Sequence, residues 1–258
     1  MNFVNEDFVS YKETIRKTLD TLNFHNILAS QRSILIKPNL INSSPHPITT
    51  SPECCESIVD YIQKHSKARI VIAEGCGDVN METTEVFEAL GYSKMAEKHG
   101  IPLIDLNHEP VQLLTDKRCQ IFKEIYLPKI ALNHYIISVP VLKAHSLARI
   151  TGTLKNMMGF VPPKHYSGKY GSWKKAAFHQ NMQESLIDLN TYLIPHLSIM
   201  DCSVGMAEYH LGGPHCDPPV AKIIAGYNPW EVDRNACRLL ELEWQDIDHV
   251  AVSLRQSN

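Results

Sequence analysis

The chain has 258 residues, 44% of them hydrophobic and 21% charged, with a formal net charge of −3. These globular proportions exclude collagen-like and low-complexity chains, and the slight acidity excludes a protein that coats duplex nucleic acid with a basic face. A local basic pocket stays compatible with that balance. The segment Met1–Asp7 has neither a basic start nor an apolar core, so no secretory signal is expected there. The longest nearly unbroken apolar run, Tyr135 to Leu142, is interrupted by Ser138 and Pro140 and falls far short of the ~20 residues of a membrane span. Seven scattered cysteines form no C-x-x-C pair, so neither a zinc ribbon nor an iron–sulfur cluster is expected. Free thiols in a reducing cytoplasm are the simpler reading.

The elements alternate. Ser33 to Lys37 reads as a buried strand ending on a charge. Thr50-Ser51-Pro52-Glu53 reads as a helix start, with a hydroxyl cap, proline in the first turn and an acid beside it. Apolar residues at 55, 58, 59 and 62 continue one helical face. A strand over Ala68 to Glu74 follows, then the loop Gly75-Cys76-Gly77 and a helix from Met81 to Leu90 stopped by Gly91. Ile101 to Asp105 and Glu124 to Leu127 are strand-like, as is Tyr135 to Leu142. Ser146 to Met158 is expected to be helical, capped by Ser146 and stopped by Gly159. The stretch Val161 to Lys175, with Pro162, Pro163, Gly168, Gly171, Lys164, Lys169, Lys174 and Lys175, breaks the rhythm and reads as a long basic loop or lid. Helices over 181–192 and 230–240 flank strands at 197–201 and 220–225. Non-alternating strands joined through helices imply a single α/β domain, with a mainly parallel sheet and helices on both faces.

In such a sheet, ligands gather at the carboxyl ends of strands beside helix starts. Those ends are unusually polar here: Lys37 and Asn39, with Thr49 and Thr50 opening the next helix; then Glu74, Gly75 and Gly77; Asp105; Lys143 and His145; and Asp201. The densest group runs from Lys143 through His145 and Arg149 to Lys155 and Asn156. Clustered cations favour a carboxylate or phosphate. A histidine titrates near neutrality, and a lysine crowded by charge can become a base or an imine-forming amine. Lys143, His145 and Lys155 are therefore the expected catalytic groups. Lys37, Asn39, Thr49, Thr50, Glu74, Gly75, Gly77, Asn156, Lys164, His179 and Asp201 are the expected substrate contacts. The Glu74-Gly-Cys-Gly turn, with Asp105 in a ribose-binding role, also has the shape of an S-adenosylmethionine-type nucleotide loop. His179, His210 and His215, with Asp201, Cys202 and Glu208, could hold a metal, although no metal-binding spacing is present.

Lys37-Pro-Asn-Leu, Thr49-Thr-Ser-Pro52, Glu74-Gly75, Val139-Pro-Val-Leu-Lys143-Ala-His145, Thr153-Leu-Lys155-Asn156 and Ala225-Gly226-Tyr-Asn-Pro229-Trp-Glu-Val-Asp233 follow one another in order. This set resembles the family called domain of unknown function 362, over roughly residues 33 to 250. Many members of that family carry an added ferredoxin-like cysteine segment, which this sequence lacks. A fainter likeness is to the N-terminal region of nickel-pincer lactate racemases, which implies a histidine and a cofactor-bearing lysine at His145 and Lys155. The expectation is an enzyme acting on a small anionic molecule, the alternatives being a ligand- or cofactor-binding accessory protein without turnover, or the nucleotide binder. Its partners would then include neither nucleic acid nor membrane, and homo-oligomerisation is left open.

Overall fold

A computed structural model of the chain describes residues 2–252. Its strands are β1 (Phe3–Asp7), β2 (Ser33–Pro38), β3 (Arg69–Glu74), β4 (Leu103–Asp105), β5 (Val111–Thr115), β6 (Glu124–Pro128), β7 (Tyr135–Val139), β8 (Val141–His145), β9 (Arg149–Thr151), β10 (Leu197–Met206) and β11 (Lys222–Gly226). The main sheet is ordered β1-β11-β10-β7-β2-β3-β4, with β8 beside β10 and β9 beside β8. β5 and β6 form a separate hairpin-like pair.

The architecture is α/β, as expected, and the sheet is mixed. β10-β7, β7-β2, β2-β3 and β3-β4 pair in parallel, as do β10 and β8. β1-β11, β11-β10 and β8-β9 pair antiparallel. The reversed strand is β11, antiparallel to both β10 and β1, and the edge beyond it is β1, an element not anticipated from sequence. Its charged residues Glu6 and Asp7 hide a register in which Val4 alone is buried.

Successive strand residues point to opposite faces of a sheet, and here they enter different cores. Ile34, Ile36, Ile70 and Ile72 pack with Ile15, Leu19, Ile58 and Ile62, from the helices Tyr11–Thr21 and Pro52–His65. Leu35, Val71 and Ile136 pack with Phe160, Leu186 and Leu189, the last two from the helix Met182–Tyr192. Met200 and Ile224 pack with Val232 and Ala236 of the helix Pro229–Leu239. That is why the strands read as unbroken apolar runs. The proposed start of the second helix also holds: Ser51 accepts from the Glu53 amide, and Pro52 occupies the first turn.

The expected helix over 146–158 is corrected. β8 runs to His145 and turns back through 146–148 into β9, so that His145 lies opposite Arg149. Arg149 takes a positive φ of 67°. His145 Nδ1 accepts the amides of both Leu147 and Ala148, at 3.1 Å each, which closes this turn and removes Ser146 from any capping role. Helix begins only at Thr153 and passes at Met157 into a 3₁₀ turn ending at Phe160.

One buried carboxylate anchors an otherwise irregular segment. Asp188, on the helix Met182–Tyr192, accepts the amides of Gln120, Ile121 and Phe122 at 3.0, 2.6 and 2.8 Å. Of the three donors only the Phe122 amide is fully buried, and a buried donor left without its acceptor costs about 1–3 kcal/mol. Asp188→Ala should therefore lower unfolding stability by roughly 1–3 kcal/mol, read from chemical denaturation. Asp188→Asn, which keeps one carbonyl acceptor, should cost less; equal loss in the two variants would show that the amides do not depend on it.

Candidate functional site

At the carboxyl ends of β2, β3 and β8 lies a cavity of about 580 Å³. Its lining gathers Lys37, Asn39, Glu74, Gly75, Gly77, His145, Lys155, Asn156 and His179, all expected from sequence, and adds Lys174, Lys175 and His210. A volume of that size suits a small organic ligand.

The floor is a buried ion pair. Lys37 Nζ donates to Glu74 Oε1 at 2.8 Å, to Asn156 Oδ1 at 3.1 Å and to the Pro38 carbonyl at 3.1 Å. All three ammonium protons are thereby used. Glu74 also accepts from the Gly75 amide at 2.8 Å and the Leu40 amide at 3.0 Å. Asn156 returns its amide to the Lys37 carbonyl and to Ser138 Oγ. Burial pulls the Lys37 pKa down, and Glu74 opposes that pull. A side chain at Gly159 would run into Glu74 Oε1 and the end of Lys37, so the 3₁₀ turn can cross the pair only with glycine there. Lys37 and Glu74, both expected as substrate contacts, line the cavity with most of their bonding directed to each other, to Asn156 and to the backbone.

The glycine loop is likewise spent. The Cys76 amide donates to Thr83 Oγ1, and the amides of Gly77 and Asp78 both donate to the Ile41 carbonyl. Asp105 Oδ1 accepts from Thr83 Oγ1 at 2.7 Å and the Asn107 amide at 2.9 Å. A nucleotide loop needs free amides to cradle phosphate. These are occupied.

Lys155 is different. Its ammonium lines the cavity yet makes no hydrogen bond or ion pair among the described residues. Burial, with repulsion from Lys37, lowers its pKa to about 8. The short helix that carries it, Thr153–Asn156, is held from outside: Asp233 accepts the Thr153 amide at 2.7 Å and the Leu154 amide at 3.0 Å. A Cβ at Gly152 would sit 2.5 Å from that carboxylate, which is why the chain approaches it through glycine. Asp233 closes the motif Ala225-Gly226-Tyr-Asn-Pro229-Trp-Glu-Val-Asp233, whose sequence suggests no role for it. Its role is to aim Lys155.

His145 stacks on His210 with ring centroids 3.9 Å apart. Because its Nδ1 already accepts two amides, the neutral ring carries its proton on Nε2. Burial, then the charges of Lys155, His210, His179 and Lys143, drives His145 far below the ordinary histidine value. The expected titration near neutrality is corrected: His145 is a fixed hydrogen-bond donor. Burial and the same lysines bring His210 to about 4, and its Nδ1 is buried without a partner among the described residues. Lys175, buried and lowered to about 8 chiefly by desolvation, donates to the carbonyls of Gly75 and Gly159. Lys174 donates to the Met81 carbonyl at 2.7 Å. These two side chains fasten the end of the basic loop to the cavity wall. Within that loop, 163–166 forms one helical turn.

Other expected residues lie elsewhere. Lys143 is buried outside the cavity lining, donating to the Ile48 carbonyl; burial, then Lys155, lowers it to about 7. Thr50 Oγ1 joins the Val139 carbonyl to the Asn39 amide, and Thr49 binds the Ser44 carbonyl, so both fix the chain after β2. Lys164 is exposed beside a second cleft with Glu82 and His108. Asp201 is fully buried, bonded to Tyr11, Ser203 and His46. Of the histidines considered for a metal, His179 and His210 reach the cavity, whereas His215 and Glu208 are exposed. Among the described residues, the one group with metal-ligand proximity is Glu82, Asp105 and His108, and the Lys174 ammonium lies 3.7 Å from its Glu82 carboxylate.

The fold and cavity define an α/β protein with a lysine- and histidine-lined pocket at its strand ends. The family model for a domain of unknown function, DUF362, matches residues 34–238, and the chain belongs to that family. It is also similar to the thylakoid-associated protein sll1697 of Synechocystis sp., at 25% identity over 251 residues, covering 94% of this chain and 74% of that protein.

Two outcomes check this geometry. Lys37→Met leaves Glu74 as a buried, unpaired charge and should cost about 3–5 kcal/mol in unfolding stability, partly recovered by adding Glu74→Gln; a cost near zero would mean the pair is not desolvated. Burial raises Asp233 to about 7. The folded protein then holds a proton that the unfolded chain releases near the ordinary carboxyl value. Wild type should lose stability relative to Asp233→Asn as pH rises from about 4 to 7, by about 1.4 kcal/mol for each unit of pKa separation. Parallel stability profiles for the two proteins across that range would refute it.

Proposed function

We propose that the cavity is the active site of an enzyme acting on a small anionic carbonyl compound, with Lys155 as the amine that attacks it. The observation that carries this reading is the lone Lys155 ammonium: half-buried in the cavity, without a hydrogen-bond or ion-pair partner among the described residues, and lowered to about 8 where the neighbouring lysines are already bonded. An amine with that pKa is partly neutral at physiological pH and so nucleophilic. It forms the C–N bond to the carbonyl carbon. The carbonyl oxygen leaves as water, taking one proton from the amine and one from the medium, and an iminium remains. The His145 Nε2–H supplies a neutral donor to the substrate's oxygen, and the positive charge of Lys175 favours an anion. A binding protein without turnover is the second reading, favoured by the fixed tautomer of His145, which leaves no evident proton shuttle.

A cytoplasmic location accords with seven free cysteines. No helix among the described residues is long and apolar enough to cross a membrane. The thylakoid association belongs to the related protein.

Trinitrobenzenesulfonate labelling, followed by peptide mass, should modify Lys155 with a pH midpoint near its value of about 8, well below the ~10.4 of an ordinary lysine. Borohydride reduction in the presence of a 2-oxo acid should leave a secondary-amine adduct on Lys155 and none in Lys155→Ala. A midpoint at the ordinary value overturns the reactive amine. A lowered midpoint with no adduct supports the binding protein.

A further inference from the structure

The mouth of the cavity differs from its floor. Val79, Trp173 and Leu211 line it, and all three are exposed, Trp173 by 65%. They come from three separate segments. Tyr209, also exposed, lies edge-on to His210 with centroids 4.9 Å apart. Large exposed apolar side chains scattered singly need no explanation, but a group converging on one opening does.

Trp173 is not on a free excursion. The next two residues, Lys174 and Lys175, turn inward and bind the Met81 and Gly75 carbonyls. Lys175 does so at a positive φ of 64°, a conformation a lysine rarely takes. The segment thus sends two cations to the wall while holding an indole at the rim. Trp173 also stands 5.8 Å, ring to ring, from His179, which lines the same cavity. Floor and rim together form a donor-rich, cationic end and an apolar, aromatic end within one volume.

Resting on the reading of the cavity as an anion site, we propose that its ligand is a carboxylate with an apolar tail of about ring size, the head at Lys155 and His145 and the tail against Trp173, Val79 and Leu211. A small hydrophilic anion would leave the rim in water. A tail-bearing one would cover it, and the volume holds both parts. Removing apolar contact from such a pocket is worth about tenfold or more in selectivity.

The test is calorimetric titration of the full chain with 3-phenylpropanoate and with propanoate, in wild type and Trp173→Ala. Cooperative thermal unfolding would confirm that the variant is folded. The expected result is a Kd at least about tenfold lower for the aryl acid, with the advantage falling below about threefold in Trp173→Ala and propanoate binding unchanged. Equal affinity for the two acids, absence of aryl-acid binding, or a preference that survives Trp173→Ala would each overturn the tail. So would co-sedimentation with anionic phospholipid vesicles that depends on Trp173 while the acids bind alike, since the rim would then serve a membrane surface. The amine is read separately with phenylpyruvate and borohydride. Aryl-acid binding without an adduct on Lys155 retires the covalent step and leaves the tail standing.

Discussion

The Lys37–Glu74 pair is the constraint around which the cavity is built. Two opposite charges taken out of water repay their desolvation only with good geometry and satisfied hydrogen bonds. Here three ammonium donors and a carboxylate that accepts three hydrogen bonds tie together the ends of β2 and β3, the Leu40 backbone and Asn156. That bonding converts two charged residues into a rigid, nearly neutral floor. Lys155, one residue before Asn156, is then placed beside the floor with nothing left there to bind it.

The same economy of bonding explains why chemistry settles on few groups. Asp233 holds the start of the short helix, so Lys155 is aimed by a residue far away in sequence. His145 closes its own turn, so its proton is confined to Nε2. Lys174 and Lys175 are tethered to carbonyls. A cavity lined by many ionisable side chains therefore presents, among the described residues, a short set of available ones: the Lys155 amine, the outer faces of His145 and His179, and the unpartnered Nδ1 of His210.

Much of this was legible in the residues, and what was missed has physical causes. The strands expected at 33–37 and 68–74 announced themselves as β-branched runs ending on charges, and Lys37, Glu74, Lys143, His145 and Lys155 were expected in one cavity because charged groups are costly to bury separately; all but Lys143 line it. The turn after His145 was misread because Ser146 mimics a helix cap. The real cap comes from Asp233, 80 positions away from Thr153, and long-range capping leaves no local signal. The internal partners of Lys37 and Thr50 were not legible, because a sequence shows that a polar group is present but not whether its bonds are already used. Asp201 was placed with the other strand-end polar residues. β10, however, continues to Met206, so Asp201 lies mid-strand, enclosed by Tyr11, His46 and Ser203.

Gly159 carries a consequence for descent. Any side chain there would strike both Glu74 and Lys37, and Asn156 bonds the same lysine from one turn earlier. These four positions are physically one unit. Among chains that inherit this fold they are free to vary only as a set. A lineage that exchanged the ion pair for apolar residues would at once be released from glycine at the crossing and from asparagine beside it. Coordinated replacement at positions 37, 74, 156 and 159 would therefore mark the branches in which the floor of the cavity was rebuilt.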